Sequence, residues 1–186
     1  MLIAFNKPFG VACKFSPEPD RKTLADYIDI RSIYPAGRLD TDSEGLLLLT
    51  DEGVLQARIA EPKHAIEKVY WAQVEGSPSS TALDQLRNGV ILGDFTTRPA
   101  SASLIEEPLE LWPRDPPIRY RAKIPTAWIK LTIREGKNRQ VRRMTAKVGF
   151  PTLRLIRATI GKVSVAELAP GTWREIGPDA PWGGRE

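Results

Sequence analysis

Carboxylates recur at short spacing in residues 37–53, GRLDTDSEGLLLLTDEG: Asp40, Asp42, Glu44 and, farther on, Asp51. Three chemistries fit such a cluster. With Asp40 as the first position of a calcium loop, Asp42, Glu44, Gly45 and Asp51 fall at positions 3, 5, 6 and 12. An EF-hand also needs flanking helices and a bidentate glutamate at its end. Pro35 and Gly37 break the entering segment, position 9 is one of four consecutive leucines, and the last ligand is the shorter Asp51. A two-metal nuclease needs carboxylates converging from several elements, and acids are nearly absent from the basic region that would hold phosphates. The third chemistry uses one carboxylate. Asp40, ionised beside a cation, could attack or stabilise an electron-poor anomeric carbon. Capping a turn is the bland alternative for the same residue.

Other site types find little support. Cys13 and His64 are the sole cysteine and histidine, which excludes an internal disulfide and leaves zinc without a ligand set. A histidine-based triad would have to use His64, which the polar stretch EPKHAIEK marks as an exposed loop residue. The chain has no GxGxxG or Walker loop. No metal and no cofactor is therefore expected. The opening MLIAFNKPFG lacks the basic and long apolar regions of a signal peptide, and no apolar run is long enough to span a membrane. These features and the lone cysteine suit a cytoplasmic protein.

Charge is distributed unevenly. Residues 112–162 hold fourteen Lys/Arg and only two acids, Asp115 and Glu135, a balance of +12 inside a chain whose total is +4. Basic charge gathered in one part of a sequence is the footprint of a polyanion-binding surface.

The elements that must position these groups can be read from periodicity. LIAFNKP reads as a strand ending at Pro8, and RKTLADYID as a short helix. SIYPAGRLD is extended or turning because of its proline and glycine, and GLLLLT is a buried strand. Thr50 or Asp51 caps a helix that runs to about Ala60. KVYWAQVEG is a strand, and SSTALDQLRNGV a helix capped by Ser79 or Ser80 with Leu83, Leu86 and Val90 inward. Residues 107–125 carry five prolines and form a long irregular loop with Arg114, Arg119, Arg121 and Lys123.

TAWIKLTIREG alternates as a half-exposed strand. NRQVRRMTAKVGFP is a helix with Val141, Met144 and Val148 on one side and Arg139, Arg142, Arg143 and Lys147 on the other. Strands follow in LRLIRATIGKVSV and GTWREI, and residues 179–186 form a flexible tail. Irregular alternation with hairpin-like returns predicts an α+β fold, with a mixed, largely antiparallel central sheet and flanking helices.

Several blocks together resemble the ribosomal pseudouridine synthases of the type that modifies small-subunit RNA. GRLDTDSEGLLLLTDEG is similar to the family's catalytic motif, FNKPFG to its opening strand and KVYWAQVEG to its Lys-x-Tyr strand. EGKNRQVRRMTAKVGFPTLRLIRATIG resembles its basic third motif, and LAPGTWREI its closing element. The blocks run in family order over nearly the whole chain. With LWPRDPPIR, they are most similar to a branch that acts on large-subunit rRNA.

The resemblance implies a catalytic domain of two lobes around a cleft, spanning residues 1–178, without the S4-type RNA-binding domain that many relatives carry. It implies an isomerase that converts a uridine of 23S rRNA to pseudouridine, acting without cofactor as a monomer. The partner is the rRNA or a large-subunit assembly intermediate. A non-catalytic rRNA-binding or ribosome-assembly protein is the alternative. Asp40 becomes the catalytic carboxylate, Tyr70 lies against the base, and Arg142 is the basic partner that orients Asp40. Val141 packs under the uracil, although its helical position also suits the core. Arg38 fills the gap left by the extruded nucleotide or binds phosphate. Lys137, Asn138, Arg139 and Arg143 are candidate RNA contacts, and Trp112, Arg114, Arg119 and Arg121 dock rRNA. Asp42, Glu44 and Gly45 shape the loop.

Overall fold

A computed structural model describes residues 1–109, 111–119 and 121–183. In chain order the strands are β1 (Leu2–Lys7), β2 (Tyr34–Pro35), β3 (Glu44–Thr50), β4 (Lys68–Glu75), β5 (Ser101–Ile105), β6 (Thr126–Ile133), β7 (Thr152–Ile160), β8 (Val163–Ser164) and β9 (Trp173–Ile176). Three α-helices are interspersed: α1 (Gly53–Ala60), α2 (Ser80–Asn88) and α3 (Gln140–Lys147). The pairings β1–β3, β1–β9, β2–β3, β4–β6, β5–β6 and β7–β8 are antiparallel. The α+β class with a largely antiparallel sheet is the one expected. No helix of the described residues is long and apolar enough to cross a membrane.

The chain divides into two compact units, Met1–Ile66 with Arg157–Glu186, and Glu67–Ile156. In the first, the strand order is β7-β3-β1-β9, and β2 adds to β3. Leu2, Ile3 and Phe5 of β1 and Leu46 to Leu49 of β3 are fully buried, so neither strand alternates with solvent. That is why GLLLLT reads as an unbroken apolar run. The closing segment returns to β1: Gly171 N donates to Asn6 O at 2.8 Å, and Asn6 Nδ2 donates to Leu168 O at 2.7 Å. At Gly171 (φ 79°) a Cβ would stand 2.9 Å from the Tyr27 ring, so the close approach needs glycine.

In the second unit the order is β5-β6-β4-β7. Helix α2 begins as expected, with Ser79 Oγ accepting from Ala82 N at 3.2 Å. Its Leu83 and Leu86 are buried, as is Val90 beyond Gly89. β6 departs from clean alternation at Trp128, which is buried on the face assigned to solvent, whereas Lys130 on that face is exposed. β5 went unread, since SASLI offers no apolar alternation.

Four local expectations change. RKTLADYID yields only a 3-10 turn, Leu24–Asp26. Asp26 Oδ2 accepts from Thr23 N at 2.7 Å, closing a capping box that ends after one turn. Thr50 and Asp51 do not cap α1; Glu52 stands there without a side-chain cap. Thr50 Oγ1 instead donates to Met1 O at 2.7 Å, and Asp51 pairs with the N-terminal amine at 2.7 Å. Helix α3 begins only at Gln140, because Arg139 adopts a left-handed conformation (φ 50°).

The flexible tail expected from residue 179 is corrected over 179–183. Ala180–Trp182 forms a 3-10 turn with Ala180 and Pro181 buried, and Arg58 lies 3.8 Å from the Trp182 ring centroid. Pro181 O accepts from Lys162 N at 3.0 Å. Gly161 permits this, since a Cβ there would fall 2.0 Å from that same oxygen. Residues 184–186 of the expected tail lie outside the described residues.

Candidate active site

Asp40 occupies the loop between β2 and β3, in the first unit, and is half-buried. The loop is built from backbone bonds. Ser43 N donates to Asp40 O at 3.0 Å, closing a four-residue turn, and Gly10 N donates to Thr41 O at 2.8 Å. Gly37 (φ 87°) enters the loop and Gly45 (φ 101°) leaves it, at angles that a side chain would strain. Gly45 already pairs with Lys7 across β1–β3, so the motif glycine reconciles the turn with the sheet. Arg38 is exposed, Asp42 half-buried, and Ser43 and Glu44 buried.

Beneath the loop lie two buried cations. Lys7 is 0% exposed, and its Nζ donates to Pro8 O at 2.9 Å and Val11 O at 2.8 Å. Burial pushes its ammonium from 10.5 down to about 8, against the opposing pull of Cys13, Glu44 and Asp42, while Arg157 adds to the depression. Arg157, on β7, is 3% exposed. Its Nε donates to Leu46 O at 2.8 Å and its Nη1 to Arg38 O at 3.2 Å.

The lowered Lys7 value makes a stability prediction. Below about pH 8 both folded and unfolded chains hold the Lys7 proton, and the full cost of burying the charge is present. Between about 8 and 10.5 the folded chain releases it first, so the unfolded state binds more protons and stability rises with pH. Urea denaturation should show wild type gaining on Lys7→Met by on the order of 3 kcal/mol across that window. Parallel curves for the two proteins would contradict it.

The remaining candidates belong to the second unit. Tyr70 lies on β4 opposite Leu131 and is 7% exposed. Val141 and Met144 of α3 are buried, as the helical reading requires, and Gln140 and Thr145 join them. Arg142 is half-buried; its Nη1 lies 3.5 Å from Thr152 O, and Thr145 Oγ1 donates to its carbonyl at 3.2 Å. Lys137, Asn138 and Arg139 are exposed on the turn before α3.

Arg143 is engaged within the fold. Its guanidinium forms a two-point ion pair with Asp94 and donates to Leu92 O at 3.1 Å. That pairing raises the arginine's pKa and lowers that of Asp94. Lys137 and Arg143 also lie over the Phe95 ring, at 4.4 and 5.2 Å from its centroid.

The proline-rich loop is likewise tied down by its arginines. Arg114 donates to Pro116 O, Pro117 O and Leu153 O at 2.8 to 3.3 Å. Arg121 pairs with Glu75 at 2.8 Å, and Arg154 Nη2 donates to Trp112 O at 2.8 Å. Arg119 is exposed.

Three residues escaped the sequence reading: Arg157, Glu135 and Gln140. Glu135 is 5% exposed, and its Oε1 accepts from Gln140 Nε2 at 2.6 Å and Arg98 N at 2.9 Å. Gln140 Oε1 in turn accepts from Lys137 N at 3.1 Å. A polar residue four before Met144 on the inward side of α3 was the available signal. For Arg157 the signal was an arginine inside the apolar run of TLRLIRATI.

Residues 1–147 match the family model described as RNA pseudouridylate synthase, and the chain belongs to that family. Among characterised relatives it is 53% identical over 175 residues to the ribosomal large subunit pseudouridine synthase E of Vibrio vulnificus, covering 94% of this chain and 74% of that one. The protein of the same description from Xanthomonas campestris pv. campestris is 53% identical over 176 residues, covering 94% of both chains. A solved structure, the crystal structure of a pseudouridylate synthase, superposes with a TM-score of 0.80 at 29% identity, covering 97% of this chain and 72% of the other. The chain is thus an RNA-modifying isomerase.

Proposed function

We propose that this enzyme isomerises a uridine of the large-subunit 23S rRNA to pseudouridine, in the cytoplasm, with Asp40 as its catalytic carboxylate. The observation that carries the substrate assignment is the 53% identity, over 94% of the chain, to a large-subunit synthase. The reading of Asp40 is supported by the GRLD motif and by its half-buried place on a loop closed by backbone bonds.

The reaction balances within one nucleotide. The N1–C1′ bond breaks, the uracil turns, and C5 bonds to C1′; C5 loses a proton and N1 gains one. No electron leaves, so no oxidant or reductant takes part. Asp40 supplies an anionic oxygen, by attack at C1′, by addition to the base, or by taking a ribose proton on the way to a glycal. Tyr70, rigid on β4, offers an aromatic face to the base and a phenolic oxygen for the C5 proton. Arg142 orients the carboxylate. The target nucleotide must be extruded, because its C1′ and base face are closed inside a stack, and Arg38 fills the vacated position or binds a phosphate. Lys137, Asn138 and Arg139 contact the backbone and set the salt dependence of binding.

The test uses rRNA labelled with tritium at uracil C5. Wild-type protein is expected to release tritium from 23S but not from 16S rRNA, to a limit of one equivalent, with refolded RNA and excess EDTA making no difference beyond RNA folding. Mapping in a deletion strain should show one 23S pseudouridine missing. Full 23S modification in that strain, with RNA binding but no release in vitro, would instead identify a non-catalytic rRNA-binding or assembly protein.

A further inference from the structure

We propose that Arg157 is the positioning residue of the Asp40 loop: its buried guanidinium clasps the two ends of the segment that carries the carboxylate and so sets where that carboxylate stands. The inference rests on the reading of Asp40 given above. Arg157 lies more than a hundred residues from the loop in sequence, yet it donates to Arg38 O and Leu46 O, one carbonyl before Asp40 and one after it. Between these two anchors the loop closes its own turn, from Ser43 N to Asp40 O, and Thr41 O accepts from Gly10 N.

The economy of the arrangement argues against a purely stabilising role. A buried guanidinium is expensive to desolvate, and an apolar side chain of similar volume is often as stable or more so. Here the charge meets two neutral carbonyls, and its second terminal nitrogen, Nη2, is buried without a hydrogen-bond partner. Lys7 is held close by, so two like charges share the underside of one loop. What the arginine supplies that an apolar residue cannot is a rigid planar fork, fixing two carbonyls at a set separation. A displacement of about 1 Å at a reacting group can cost on the order of a hundredfold in rate. That makes such a fork valuable next to a catalytic loop and of little use elsewhere.

Arg157→Lys keeps the charge but replaces the fork with a single point donor. Arg157→Met keeps the volume and removes both bonds. Each is compared with wild type by single-turnover tritium release at saturating enzyme, by RNA affinity and by thermal denaturation. The single-turnover rate constant reports only folded, RNA-bound molecules, so a merely structural role would leave it unmoved. Both variants are expected to bind 23S rRNA within about threefold of wild type and to lose about a hundredfold or more in that rate constant. Arg157→Met is expected to melt no lower than Arg157→Lys. Amide exchange at residues 38–46 should quicken in both.

Wild-type single-turnover rates in a folded variant would overturn the proposal. So would failure of both variants to fold, which would assign Arg157 to stability alone. Asp40→Asn is run alongside. If it retains turnover, the reading of Asp40 itself is wrong; if it is inactive while Arg157→Lys is not, only the present inference falls.

Discussion

Asp40→Asn should abolish tritium release, by at least about 10⁴-fold, while RNA affinity stays within about twofold of wild type. The substitution is nearly isosteric and leaves the loop intact. Ser43 N bonds to the Asp40 carbonyl and Arg157 to the carbonyls of Arg38 and Leu46, backbone bonds that the substitution does not touch. What disappears is the anionic oxygen, which an amide cannot replace either as nucleophile or as base. Asp42→Asn is the matched control. Its side chain is half-buried on the same turn, and the reading gives it no bond-making part, so its rate should fall by less than about tenfold. Equal losses in the two variants would move the chemistry from one carboxylate to the pair. Unchanged turnover in Asp40→Asn would remove Asp40 from the mechanism.

The contrast between these two aspartates comes from the family resemblance. Spacing alone left Asp40, Asp42 and Glu44 equivalent as calcium or metal ligands. The four leucines after Gly45 argued only against calcium, because a buried strand cannot serve as the second half of a calcium loop. β3 bears that out: Glu44 is already its first residue and is buried. Strands were the readable part of this chain, since burial on one or both faces writes a pattern into the sequence. Helix beginnings were less readable. Nothing in EGKNRQ announces that Arg139 turns left-handed, because the conformation is imposed by Gln140 and Glu135 holding the turn from inside.

Long-range polar bonds were not readable at all. Arg157 counted toward the basic region, yet it is buried under a loop more than a hundred residues away, and nothing in the sequence announced that Arg143 pairs with Asp94. The +12 balance of residues 112–162 counted all such charges alike. Once Arg114, Arg121, Arg143, Arg154 and Arg157 are assigned to bonds within the protein, the exposed cations not so assigned are fewer, and Lys137 and Arg139 stand among them on the turn before α3. RNA binding should depend on that turn more steeply than net charge suggests.

Glu135→Ala tests that dependence and carries the second large effect. One carboxyl oxygen accepts from Gln140 Nε2 and Arg98 N in a site closed to solvent. Removing it leaves an amide and a backbone N–H without that acceptor, each costing about 1–3 kcal/mol, so urea denaturation should show a loss of about 3 kcal/mol. The consequence for function follows from the next bond outward. Gln140, no longer fixed from below, ceases to hold Lys137 N, and the turn bearing Lys137, Asn138 and Arg139 loses its set conformation. RNA affinity should fall by roughly tenfold, about 1.4 kcal/mol, with a shallower dependence on salt as phosphate contacts are lost. Glu135→Gln retains an acceptor oxygen for one of the two donors and should recover part of both losses. A destabilised Glu135→Ala that binds rRNA with wild-type affinity and salt slope would show that the turn before α3 does not touch the RNA, and the search for the docking surface would pass to the exposed Arg119 and its loop.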